Sequence, residues 1–267
     1  MKRVMIFAAV LVAAAACGGK GSASDQSASG AVSQAGGSGA ATASGPKGDA
    51  VVSGVINFNG TAPANPAIDM SQEAACKGKY TGAPHDPQYV VNGGKLGNVF
   101  VYVKSGLPAG AKYDPPSTDV EIDQQGCLYH PRVFGIMVGQ KLLIKNGDPV
   151  LHNIKAVPAK NRGFNISQPS EGMKTERTFS TEEIMVPLQC NVHSWMQAHV
   201  GVLSHPFFAT SDSTGAFKIT GLPPGTYTIE AWHEKLGTMT QSVTVGQKES
   251  KEVNFTFKVA APTTTND

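Results

Sequence analysis

The sequence predicts an all-β protein, a Greek-key sandwich or barrel followed by a smaller β-sandwich. Three observations carry this. Beyond residue 50 the apolar stretches are short and bounded by Gly, Pro, Asn and Asp; Val and Thr recur within them; and helical periodicity is almost absent. A folded part of roughly two hundred residues is long enough for one sandwich and a companion.

In chain order, residues 1–17 read as an export signal. Lys2 and Arg3 supply a positive start, residues 4–12 an apolar run and residues 13–16 a small-residue cleavage region. The run is too short to span a bilayer. Cys17, directly after Ala14, Ala15 and Ala16, resembles the bacterial lipoprotein signal, in which that cysteine becomes lipidated; a plain secretory signal cut near Ala16 is the alternative. Residues 18–50 are almost wholly Gly, Ala, Ser, Thr and Gln, and are expected to form a flexible linker reaching about 30 Å root-mean-square. Strands are expected at 51–58, 98–103, 120–122, 133–137, 141–145, 153–157, 176–180, 184–188 and 199–204, all within a first folded unit, 51–205. A second unit, 206–258, runs through a turn at Asp212 and Gly215, a short strand, a turn at Pro224 and Gly225, and a second strand reaching Trp232. A core of this size is small, so packing on the first unit is expected to help hold it. Residues 259–267 are expected to be a disordered tail.

The chain has 22 basic and 20 acidic side chains, and loss of Lys2 and Arg3 with the signal leaves the two signs equal. That balance does not suit a polyanion, so nucleic acid is not an expected partner.

If Cys17 is the lipid anchor, Cys76, Cys127 and Cys190 remain, an odd number for an oxidising compartment. Cys76 and Cys127 sit in loop-like contexts and are expected to pair. A paired Cys190, with one of the others a buried thiol, is the alternative. The surroundings of Cys190 favour its being free: His193 and Met196 follow at two-residue gaps, and His152, followed by Asn153, lies upstream. One thiolate, two imidazoles and one thioether make the donor set of a type 1 copper site, with Cys190, His152 and His193 equatorial and Met196 a weak axial ligand. Singly each residue has a duller explanation: a surface histidine, a core methionine, a disulfide cysteine. Together, in this order, one metal site accounts for all four. Trp195 is expected to pack beside the ligands. His199 and His205 could share a strand face, but without a nearby carboxylate or cysteine they are expected to be two exposed histidines.

At Asp148, His152 and Asn153, and again at Cys190, His193 and Met196, the chain resembles the blue-copper cupredoxins, the family of plastocyanin, azurin and amicyanin. Residues 51–205 are also similar to a group of bacterial cell-envelope proteins that share Gly126, Cys127 and Tyr129, a Gly139-Gln140 turn, and a ligand loop before His205, Pro206, Phe207 and Phe208. The resemblance implies a cupredoxin-like Greek-key fold with one copper per chain. It also implies that Asn153, in the surroundings of the ligands, ties the two ligand segments by hydrogen bonding. The pattern from Asp212 to Trp232 resembles the carboxypeptidase regulatory-like, or transthyretin-like, β-sandwich, which implies a structural or binding element.

These readings converge on a one-electron carrier, tethered by lipid in a bacterial cell envelope, on the outer membrane facing the periplasm. A soluble periplasmic or secreted form is the alternative. Its partner would be a redox protein such as a cytochrome or an oxidoreductase, with the edge of His193 as the electron exit. No catalytic residue is expected: copper oxidases use His-x-His pairs, and no two of the seven histidines stand two positions apart. A non-redox copper-binding or carbohydrate-binding adhesion protein on the same fold is the competing function.

Overall fold

In a computed structural model of the chain, residues 45–259 are described. The expected signal, its Cys17, most of the linker and nearly all of the tail lie outside the described residues.

The fold is all-β, with a single four-residue helix, Ala74–Lys77, among the described residues. Its strands make four sheets, none closed into a barrel. Two of the sheets share one apolar core. The strands Phe164–Gln168, His152–Ala156, Glu183–Gln189, Gln197–Leu203 and Val133–Met137 pair in that order. Facing them are Lys174–Arg177, Leu142–Asn146, Val120–Gln125 and Leu128–His130. Ile122, Ile144, Ile154, Leu188, Ala198 and Val200 point into the space between, all fully buried. Alternation explains the choice: in Leu142–Asn146 every second residue is buried, as a half-covered strand requires.

The other two sheets enclose a second core, and here strand ownership differs from the expected division at 205/206. The strand Ala50–Asn59 pairs antiparallel with Ala216–Leu222 and parallel with Ser250–Glu252 and Phe255–Lys258. The strand Phe100–Ser105 lies between Phe208–Thr210 and Gly225–His233. Val52, Ile56, Val101 and Val103 are therefore buried with Phe217, Ile219, Tyr227 and Phe255. The physical reason is the size problem foreseen for residues 206–258: alone they cannot cover their own apolar faces, and two N-terminal strands supply the missing walls.

A third apolar cluster, with Phe100, Tyr102, Val133, Met185 and Leu203, joins the sandwiches. Gly135 and Gly201 face each other across parallel strands there. A Cβ on Gly201 would sit 2.5 Å from the Phe100 ring, and one on Gly135 would sit 2.4 Å from the Phe208 ring. Beside this cluster the buried Arg132 guanidinium binds both Asp86 and Glu234, the latter through Nη2 at 2.9 Å. Gly201→Ala is accordingly expected to cost about 1–3 kcal/mol by overpacking, seen as a lower denaturant midpoint at unchanged slope.

Candidate metal centre

The two segments that carry the candidate donors arrive on adjacent strands of the five-stranded sheet. Asn146 shapes the first. Its Oδ1 accepts the Asp148 N–H at 2.9 Å, and its Nδ2 donates to the carbonyls of Val150, at 3.0 Å, and Gln168, at 2.9 Å. That local turn delivers His152 as the first residue of its strand. The second segment is the loop between Glu183–Gln189 and Gln197–Leu203. The Cys190 N–H bonds the Met196 carbonyl at 3.1 Å and the Met196 N–H bonds the His193 carbonyl at 2.9 Å, folding the loop back on itself.

The result is convergence. A nitrogen of His152, a nitrogen of His193 and the Cys190 sulfur all lie within 4.8 Å of one another. The two Nδ1 atoms are 3.0 Å apart. His152, Cys190 and His193 are buried, and Met196 is fully buried in the same core. Cys190 is the free cysteine among the described residues, and Cys76 and Cys127 form a disulfide, as expected.

Asn153 ties the segments. Its Oδ1 accepts the Asn191 N–H at 3.1 Å, while its Nδ2 donates to the Ile166 carbonyl at 2.9 Å. The sulfur of Cys190 accepts the His193 N–H at 3.3 Å. Burial alone would push the Cys190 thiol up. Hydrogen bonding from His152, from His193 and from the backbone N–H groups of His193 and Asn153 outweighs it and brings the thiol down to about 5. Cys190 is thus a thiolate at neutral pH, the form that binds metals. The Tyr129 hydroxyl, which donates to the Asn153 carbonyl, is pushed up by burial and then by the Cys190 charge.

In sequence Asp148 stands four residues before His152 with no evident role of its own. Its buried carboxylate accepts hydrogen bonds from His152 Nε2 at 2.9 Å, from the Cys127 N–H at 2.7 Å and from the Gly126 N–H at 2.9 Å. Lys79 Nζ completes the set at 2.8 Å. Burial would raise this carboxyl, but these partners hold it well below the usual carboxylate range. An ionised carboxylate can only accept, so the proton between them sits on His152 Nε2, and Nδ1 is the ring atom that faces His193 and Cys190. Cys127, Asp148 and His152 also cluster, but the Cys127 sulfur is taken by the disulfide.

The edge of His193 is not open to solvent, contrary to expectation. The ring is 3 % exposed, with Nε2 3.9 Å from Cys76 Sγ and 4.0 Å from Glu73. Trp195 packs against the ring at 5.1 Å between centroids and donates its indole N–H to the Cys127 carbonyl at 2.9 Å. The segment carrying Cys76, fastened by its bond to Cys127, therefore covers the site.

His205 and His199 are corrected as well. His205 lies past the end of its strand, buried, stacked on Phe207 and accepting that residue's N–H at 3.2 Å. His199 is half-buried against Trp232. Neither joins a cluster of metal donors among the described residues.

A family model described as a carboxypeptidase regulatory-like domain matches residues 196–258. It starts earlier than the expected boundary and takes in Gln197–Leu203, which pairs in the sheet that carries His152. A search of curated proteins found no match. Among solved structures, the chain is similar to a purple cupredoxin from Nitrosopumilus maritimus, with 25 % identity and a TM-score of 0.28 over 32 % of this chain and 99 % of that one. A Cu-containing nitrite reductase from Thermus scotoductus shows 20 % identity and a TM-score of 0.29, over 38 % of this chain and 26 % of the reductase. A variant of amicyanin in its Cu(I) form shows 16 % identity and a TM-score of 0.29, over 38 % of this chain and 97 % of that one.

Proposed function

We propose that this chain is a type 1 copper protein that carries single electrons, tethered through Cys17 in a bacterial cell envelope. The observation that carries the reading is the buried convergence of the Cys190 sulfur with nitrogens of His152 and His193. The donor set fits the metal. A thiolate already ionised at neutral pH, two imidazoles and a thioether on the same loop favour copper over harder cations. When bound, copper would supply a one-electron couple between Cu(II) and Cu(I).

The chain's own residues do the rest. Asn153 and the folded ligand loop fix the donors against each other, so that little rearrangement accompanies a change of charge. Burial keeps water from the site. With His193 covered, the route outward runs over packed and bonded atoms, through the half-buried Trp195 or the Cys76–Cys127 bridge, to a redox partner protein. No catalysis is assigned to the chain.

The test is titration of the metal-free protein with Cu(II), followed in the visible spectrum. An intense thiolate-to-copper band saturating at about one copper per chain supports the reading. Absence of the band with Cys190 reduced and available refutes it and leaves a binding or structural role for the sandwiches.

A further inference from the structure

We infer that Asp148 positions His152 and sets the potential of the metal centre, with Lys79 as its counter-charge near the surface; this rests on the copper reading above. The Asp148 side chain is fully buried, and each of its oxygens accepts two hydrogen bonds. One of these comes from the outer nitrogen of a proposed ligand, so the carboxylate orients the ring and adds electron density to it. A buried negative charge behind a ligand imidazole stabilises the more highly charged metal state, and salt screens it poorly at this depth. It therefore lowers the reduction potential.

Lys79 works against it. Its ammonium is 2.8 Å from the same carboxylate and its side chain is 33 % exposed. It lies two residues past the Ala74–Lys77 helix, on the segment that the Cys76–Cys127 bond fastens over the site. A charge at the surface is thereby linked through one carboxylate to the proposed ligand sphere.

The experiment uses the full chain and two variants, Asp148→Asn and Lys79→Gln, each loaded with one copper and titrated spectroelectrochemically. Asp148→Asn removes the charge at nearly constant volume. It is expected to favour the reduced state about tenfold, an upward shift of about 59 mV for one electron. Lys79→Gln, at a partly exposed position and tolerable to the fold, is expected to move the potential downward. Opposite signs are the signature, because a general loosening of the site would not produce them. Shifts of the same sign, or none in Asp148→Asn, overturn the inference.

A second readout needs no metal: imidazole nitrogen NMR of the metal-free chain should show His152 protonated on Nε2, with that preference lost in Asp148→Asn. An unchanged tautomer overturns the positioning role. If the wild-type chain takes up no copper, the carrier reading and the potential-setting role fall together, while the tautomer still decides whether Asp148 orients His152.

Discussion

Cys190→Ser is expected to abolish the intense visible band of the copper-loaded protein and its reversible one-electron chemistry while leaving the fold in place. The band requires a thiolate donor, and a serine hydroxyl is neither soft nor ionised at neutral pH. Two imidazoles would remain, so weak Cu(II) binding without blue colour is the expected residue of the site. Stability should change little. The sulfur is bonded by the backbone N–H groups of His193, at 3.3 Å, and of Asn153, and a serine oxygen can accept the same bonds, so a change within about 1 kcal/mol is expected. Spectroscopy and denaturant unfolding on one preparation separate the two effects. A variant that keeps the band would show that Cys190 is not the donor.

Replacing both Cys76 and Cys127 by serine is expected to be the most destabilising change at the site. The bond closes a loop with a sequence separation of 51. Loop-closure entropy of the unfolded chain for that length corresponds to about 4 kcal/mol. The loss should appear as a large fall in denaturant midpoint under non-reducing conditions. The four proposed ligands are untouched, so one copper should still bind. What changes is the cover: without the bond, the segment around Cys76 is held over His193 by weaker contacts, among them the Tyr80 hydroxyl on the Gly126 carbonyl at 2.7 Å. Electron exchange with a small soluble reductant should therefore quicken. An unchanged rate would mean that the cover does not control access.

Much of this architecture is legible before folding because it is local. Alternation located 133–137 to the residue and most other strands to within one or two positions. The spacing of Cys190, His193 and Met196 defines a loop whose closure needs no distant information. What could not be read depends on partners far along the chain. Nothing in the alternation of Ala50–Asn59 says that it pairs with Ala216–Leu222, because an apolar face fits any sheet with a complementary face. Asp148 after Asn146 and Gly147 looks like turn chemistry; its bonds to Lys79, Gly126 and Cys127 exist only once three segments meet. His193 reads as an open edge for the same reason, since the cover comes from Cys76, 117 positions away. The strands Leu128–His130 and Phe164–Gln168 were missed because each is short and earns its pairing from a neighbour.

The pairing of the first described strand with the last has a kinetic meaning. Val55 donates its N–H to Asn254 across a sequence separation of 199, and Ile56 stands beside Phe255. Contacts of such high order form late, since the chain must give up the most freedom before they repay it. The sandwich that carries His152 and Cys190, built from residues 120 to 203, can collapse on its own strands first. The companion sandwich is completed only when residues 250–258 arrive, and until then one side of Ala50–Asn59 lies open. A product lacking residues 250–258 would keep the proposed donors, yet present a bare edge along Ala50–Asn59 to proteases and to other unfinished chains.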